Sequence, residues 1–399
     1  MSNKYQDNGP LSGFRIIDTT SVISGPGAMA ILADQGADVI KVEPPQGDIM
    51  RHRGDDTNFT PGFITVNRGK RSIALDLKKP EAAPILWDLI ATADVFAQNF
   101  RPGVIERLGF DATTVLARQT NLVYLSISGV GPRGPYAKKR VYDPVIQALS
   151  GFTDIQADPL SGRPKMIRTL IADKTTAVYA SQAVVAALLA RERTGQGQHV
   201  EVSMLDTMIS FIWAEAMAPL TKVGQEDFNV AATPHDMIFS TSDGYITFGA
   251  VSDNEWLALC RSLNRPDLIE DPRFKTAALR SKNRQERLEV IETSVGIFPT
   301  AEIIAKLEAA DVPCAPILSR PDVLSDPQVI ANELIHELHQ PGMGQIRQAR
   351  AAAKFSSSPH TKILAAPGLG EHSVPVLEEL GYNPEEISKL ITDQVIIKT

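Results

Sequence analysis

Phe14-Arg-Ile-Ile-Asp18, Pro26 in Gly25-Pro-Gly-Ala-Met-Ala30, Gly36, and Asp38-Val-Ile-Lys-Val-Glu43 decide the fold. The first run is short, apolar and bounded by polar residues, as a buried strand is. Pro26 suits the opening of a helix because its missing N–H is not needed there. Gly36 suits the turn after that helix. The Asp38–Glu43 run is a second strand, which completes a βαβ unit. Ser72-Ile-Ala-Leu-Asp-Leu-Lys78, Asp94-Val-Phe-Ala-Gln98 and Leu122-Val-Tyr-Leu-Ser-Ile-Ser128 repeat the strand pattern, with helical stretches between them, one starting at Pro80. Strands alternating with helices imply an α/β protein with a mostly parallel sheet covered on both faces.

After Met204 the pattern changes. A helical stretch at 206–220 precedes Asp236–Gly249, which reads as a hairpin turning at Ser-Asp-Gly. Helices are expected at Asn254–Leu263, Ser281–Val295 and Thr300–Ala310, so a smaller α+β unit follows the large one. The last stretch, from Pro367 to Leu390, reads as loop and helices.

The chain has 399 residues, 43% of them hydrophobic and 22% charged, with a net charge of −7. That length supports two cores. Scattered Lys and Arg give no nucleic-acid face. Its two cysteines, Cys260 and Cys314, make neither a metal nor a redox motif. No apolar run is long enough to span a membrane, and Met-Ser-Asn-Lys-Tyr-Gln-Asp lacks a signal-peptide core, so a cytoplasmic protein is expected.

Asp173 is the residue with most to say about chemistry. It lies where Ile167-Arg-Thr-Leu-Ile-Ala meets a Gly- and Pro-free stretch from Lys174 to about Arg193, with Ala177, Ala180, Val184, Ala187 and Leu188 on one face. It is expected to be the N-cap of that helix, where the dipole favours its ionised form. Such a carboxylate is either an ordinary cap or a nucleophile. Gly25-Pro-Gly-Ala-Met-Ala30 matches GxGxxA, with Glu43 closing the second strand, but six residues separate Asp18 from Gly25. A dinucleotide fingerprint needs its first glycine at the strand end. Asn67-Arg-Gly-Lys-Arg-Ser72 with Lys78 is a basic cluster that suits either a phosphate-bearing ligand or solvent. Asn99-Phe-Arg-Pro-Gly103 follows a strand, and Arg140-Val-Tyr-Asp143 precedes a helix. His336 and His339 lack the spacing and third ligand of a metal site. GxSxG, P-loop and CxxC motifs are absent.

Taken in order, several segments resemble the family III CoA-transferases, the group of formyl-CoA transferase, carnitine CoA-transferase and the acyl-CoA racemases. They are Gly36–Pro45, Asn67–Lys78, Ala93–Gly103, Tyr142–Gly151, Arg191–Val200 and Leu369–His372. The resemblance implies a Rossmann-like large domain from both chain ends (1–205 and 326–399), a helical linker at 206–225, a small domain at 226–325, and an interlocked homodimer. It implies Asp173 as a nucleophile that forms a mixed anhydride and then an aspartyl-CoA thioester. Coenzyme A or acyl-CoA would be a substrate beside a carboxylic acid, with no metal and no NAD. Val22, Ser24, Leu75, Lys78, Asn99, Phe100, Arg107, Arg140 and Met204 match family CoA contacts, and Tyr142 and His235 are substrate-pocket candidates.

The chain also departs from the family. Val230-Ala-Ala-Thr-Pro-His235 replaces the glycine-rich loop of formyl-CoA transferases. Tyr142 stands where the racemase branch has histidine, and Ser252 where it has glutamate. A phenol is a poor base at neutral pH. Transferase is therefore expected over racemase or another CoA-dependent isomerase, and both over a nucleotide-binding dehydrogenase.

Overall fold

A computed structural model describes residues 9–52, 59–158, 161–226, 237–358 and 363–397. The chain divides into a unit formed by residues 1–232 and 333–399 and a second unit at 233–332.

The larger unit is built on a seven-stranded sheet. Its parallel strands are β1 (Arg15–Asp18), β2 (Asp38–Glu43), β3 (Arg71–Leu75), β4 (Val95–Gln98), β5 (Val123–Ser128) and β6 (Gln198–Ser203), in the spatial order β3-β2-β1-β4-β5-β6. That is the Rossmann order, with its switch point between β1 and β4. A C-terminal strand, Ile396–Ile397, pairs antiparallel with β3 at Leu75 and Ala74 and covers that edge. The last stretch therefore contains a strand as well as the helices Ser373–Glu379 and Pro384–Thr392.

Helices bury both faces. On one, Ile85, Leu86 and Leu89 of the helix Ala82–Ala91 pack with Ile73, Phe96 and Tyr124, together with Val376, Leu377 and Ile387 from the end of the chain. On the other, the helix Ser24–Ala33 packs with the long helix Ile171–Thr194 through Ala28, Met29, Ala177, Ala180 and Val184. The approach is close because Gly27 has no side chain: a Cβ there would lie 3.2 Å from that of Ala177.

Two helix starts differ from the sequence reading. The first helix begins at Ser24, so Pro26 is its third residue. The long helix begins at Ile171, so Asp173 is inside its first turn and the N-cap is Leu170, whose side chain makes no capping bond. The reason lies in tertiary structure. Asp143, from another helix, accepts the Asp173 N–H at 3.1 Å and so satisfies a donor that the helix cannot pair itself. The long helix ends at Gly195, left-handed at φ +69°.

In the smaller unit β7 (Phe239–Ser240) and β8 (Tyr245–Phe248) form the expected hairpin, and β9 (Cys314–Pro316) adds a third strand. The helices Asp253–Ser262, Arg284–Val295 and Thr300–Ala309 bury Trp256, Leu259, Ile291, Val295, Ile303 and Leu307 against it. Ser252 caps the first of these in a reciprocal arrangement with Glu255, a local role for that serine. Back in the larger unit, β10 (Ile335–Gln340) and β11 (Gly344–Ala349) pair antiparallel. His336 and His339 both lie on β10, and three residues apart on a strand they point to opposite faces. No helix among the described residues is long and apolar enough to cross a membrane.

Candidate active site

The site candidates gather at one end of the large sheet because parallel strands all deliver their following loops to the same edge. β1 leads to Val22 and Ser24, β3 to Lys78, and β4 to Asn99 and Phe100. Arg140, Tyr142 and Asp143 follow β5, and Met204 follows β6 directly. Asn99 sits at the switch point and clamps the first of these loops. Its Oδ1 accepts the Ser21 N–H at 2.9 Å, and its Nδ2 donates to the Ser21 carbonyl at 2.8 Å.

That loop is held in an unusual shape. Val22 has φ +74°, which is costly for a β-branched residue. Its N–H faces the Asp48 carboxylate at 3.3 Å. Asp48 is ion-paired with Lys41 at 3.0 Å, and Lys41 also donates to the Thr20 carbonyl at 2.9 Å. Below it, Lys70 donates to Asp18, to Asn67 and to the Pro26 carbonyl, each at 2.9 Å. Burial pushes the Lys70 ammonium down to about 8, although Asp18 opposes it. Burial alone would raise the Asp18 carboxyl, but the Lys70 and Lys41 charges outweigh it and hold it below the usual carboxylate range. Backbone strain of this kind persists only where the surroundings over-determine it. Here they place Ser24, the first residue of its helix, against Asp173.

Asp173 is 8% exposed. Burial, and then the neighbouring charge of Asp143, push its carboxyl up to about 6, against the hydroxyl and the backbone N–H of Ser24, which hydrogen-bond to it. The expectation of a cap-stabilised, easily ionised carboxylate is thus corrected. Desolvation and a second carboxylate outweigh the helix N-terminus. The group is still mainly ionised above neutral pH, but poorly solvated. Asp143 itself is buried and accepts from Gln147 Nε2 at 2.6 Å, while Gln147 Oε1 accepts the Ile167 N–H at 3.1 Å. Met204 packs in the same apolar cluster as Ala172, next to Asp173.

The other candidates are placed less closely. Leu75 is fully buried in the core, so its side chain lines no surface. Phe100 is partly buried against that core, and its N–H donates to Gln98. Lys78 and Arg107 are exposed. Arg140 is exposed and lies 3.4 Å from the hydroxyl of Tyr142, itself 52% exposed. His235 lies outside the described residues.

Two sequence motifs resolve into packing. Gly25 admits no side chain, since a Cβ would fall 2.3 Å from Thr20. Glu43, the acid in the fingerprint outline, is buried and bidentate with Arg51 at 2.8 Å for both bonds. The basic cluster turns inward for the most part: Arg68 pairs with Asp34, Lys70 with Asp18, and Arg71 with Asp38 and Glu379. Reading the 67–72 segment as a phosphate cradle is overturned by those pairings: Arg68 is only partly exposed, and Lys78 is the cation of that group that stands open to solvent. Asp48 carries no sequence signal for this site, and Lys41 and Gln147 stand inside family-like segments without a role assigned to them. Their positions depend on contacts made across the fold.

The family model for CoA-transferase family III matches residues 11–373. The succinyl-CoA:glutarate CoA-transferase of Mus musculus is 34% identical, with 97% of this chain and 90% of that protein covered. The succinyl-CoA:mesaconate CoA-transferase of Haloarcula marismortui is 33% identical, with 94% and 97% covered. A CaiB/BaiF family protein from Brucella suis has a crystal structure that superposes with a TM-score of 0.80 at 32% identity, covering 94% of this chain and 100% of that one. The chain belongs to CoA-transferase family III.

Proposed function

We propose that Asp173 is the nucleophile that carries coenzyme A from an acyl-CoA donor to a carboxylic acid. The observation that carries this reading is the buried carboxylate raised to about 6 beneath the hydroxyl and N–H of Ser24, at the strand ends of the sheet. An Asp173 oxygen attacks the thioester carbonyl carbon. The C–S bond breaks, and coenzyme A leaves as a thiolate, giving a mixed anhydride. The thiolate then attacks the aspartyl carbonyl of that anhydride and expels the donor acid as carboxylate, which leaves an aspartyl-CoA thioester. The acceptor carboxylate attacks this thioester and releases the thiolate again. The thiolate finally takes the acceptor's acyl group and restores Asp173.

A poorly solvated carboxylate suits the first step, because little water must be stripped from it before attack. The positive end of the dipole of the helix Ser24–Ala33 suits the oxyanion that forms at each carbonyl. Val22, Asn99 and Met204 border this centre. Lys78, Arg107 and Arg140 are the exposed cations we assign to the phosphates, with Phe100 along the nucleotide path. Leu75 enters only through its backbone. Tyr142 and His235 are assigned to the acid pocket. Donors carrying a second carboxylate, as in the succinyl-CoA enzymes of mouse and Haloarcula, are the first to try.

The family resemblance also supports a homodimer. The outward side chains Val178, Val185 and Leu189 of the long helix, with Phe211 and Trp213, form an apolar surface suited to a second copy. The test is intact-protein mass spectrometry after incubation with succinyl-CoA and other acyl-CoAs. A CoA-sized adduct on Asp173, lost with hydroxylamine, supports the route. Equal CoA exchange by wild type and Asp173→Ala sinks it.

A further inference from the structure

The Asp48 carboxylate has no part in the transfer steps, yet three donors converge on it. It follows β2 and is 3% exposed. One of its oxygens accepts the Met50 N–H at 2.9 Å, and the other accepts from Lys41 Nζ at 3.0 Å. The Val22 N–H lies 3.4 and 3.3 Å from the two. The N–H of Asp48 itself donates to Glu43 at 3.1 Å, and Glu43 is held in turn by Arg51. The carboxylate is therefore fixed from its own side of the fold, apart from the loop that it meets.

Each residue of that loop has a separate tie. Lys41 holds the Thr20 carbonyl, Asn99 holds Ser21 at both its N–H and its carbonyl, and Asp48 holds Val22. The last tie carries the strain, because Val22 is the residue at φ +74°. A left-handed backbone disfavours an L residue about five- to thirtyfold. A hydrogen bond to a charged group favours its geometry about ten- to a hundredfold, and a contact of this length belongs at the lower end. The two effects are closely matched, so loss of the charge is enough to release the turn.

What the turn aims is Ser24, two residues on. Gly27 and Ala177 mark the close approach of the two packed helices. One turn earlier on each helix lie Ser24 and Asp173, and there the Ser24 N–H and hydroxyl meet the Asp173 carboxylate. Ile23, between the strained residue and the serine, is anchored in the same apolar cluster as Met50, whose N–H Asp48 also holds. A change in the Val22 backbone is thus passed to Ser24.

We propose that Asp48 is a positioning residue for transfer: paired with Lys41, it holds Val22 in the left-handed turn that points the Ser24 N–H and hydroxyl at Asp173. This role rests on Asp173 as the nucleophile. It makes Asp48 act on the reaction through two residues of backbone, so its removal should change how Asp173 titrates as well as how fast it is loaded.

The test is the rate at which the full-length protein gains the CoA-sized adduct on Asp173, read by intact-protein mass spectrometry from about pH 5 to 8. The probe is succinyl-CoA, or another acyl-CoA that loads wild type. Asp48→Asn keeps the shape of the side chain and an acceptor for Met50. It should slow loading about tenfold. The acid limb should also move to higher pH, because the Ser24 bonds that hold the Asp173 carboxyl down are lost while burial and the Asp143 charge remain. Removal of a negative charge by itself would move that limb the other way. Adding Val22→Gly to the Asp48 variant should restore most of the rate and return the limb, since glycine takes a positive φ without penalty. Where Asp48→Asn does not fold, Asp48→Glu takes its place: it keeps a charge for Lys41 and shifts the carboxylate off the Val22 N–H, with the same outcome expected. The proposal is overturned by an Asp48 variant that loads as fast as wild type, by a slowed variant whose limb does not rise, or by a double variant no faster than the Asp48 variant alone. If wild type gains no adduct with any acyl-CoA, the Asp173 reading fails and takes this one with it; a wild-type adduct beside unaffected Asp48 variants overturns this one alone.

Discussion

Replacing Asp173 with asparagine should stabilise the protein while abolishing transfer, and the gain should depend on pH in a defined way. The carboxyl titrates at about 6 in the folded chain against an ordinary 3.8. A raised folded value means that the unfolded chain loses this proton first. Between about pH 4 and 6 the folded state therefore binds more protons, and stability falls as pH rises through that window. Below it the contribution is fully present; above it the loss is complete. Two pKa units correspond to about 3 kcal/mol, an upper figure because water relaxes around any real carboxylate. Asparagine keeps the shape and can still accept from Ser24, but it never ionises. Urea unfolding of both proteins from pH 4 to 8 reads the difference directly. The variant should be nearly equal to wild type near pH 4 and more stable by up to about 3 kcal/mol above pH 6.5. A difference that stays flat across this range, or a wild type more stable at pH 7.5, would refute a desolvated, repelled carboxylate and restore the simple capping aspartate.

Related perturbations test the surroundings of that group. The rate of acyl transfer with subsaturating acyl-CoA should fall on the acid side with an apparent pKa near 6. Asp143→Asn removes the repelling charge, so that limb should move to lower pH; an unmoved limb would leave burial as the sole cause. Gly25→Ala forces a methyl into Thr20 and should cost about 1–3 kcal/mol in thermal or urea unfolding, with wild-type stability as the contrary result. Val22→Gly relieves a left-handed β-branched residue and should gain up to about 1 kcal/mol. A loss of that size in the same assay would mean the side chain's packing outweighs the strain.

The sheet was legible because its strands are short apolar runs at regular intervals, and Phe14–Glu43 alone contains two strands and the helix between them. The position of Asp173 was legible only as a helix start, and its electrostatics were not. Local sequence says that an aspartate at a helix N-terminus is easily ionised. The opposite outcome comes first from burial and then from Asp143, thirty residues away, neither of which has a periodic signature. Lys70 and Arg71 look like ligand-seeking cations in sequence because their partners Asp18, Asp38 and Glu379 are distant along the chain. The strand at Ile396–Ile397 was missed for a related reason. Two residues carry no alternation, and only the exposed edge of β3 makes them a strand.

That edge pairing has a consequence for how the protein is made. The core under β3 requires Val376, Leu377, Ile387 and Val395, yet the whole smaller unit is synthesised before any of them. At about 5–20 residues per second, the first 232 residues wait on the order of ten seconds or more for their missing side of the core. The smaller unit, continuous in sequence, can finish folding during that interval. A nascent chain halted before residue 373 should therefore present an open apolar sheet edge, and should be the species that chaperones hold and proteases remove.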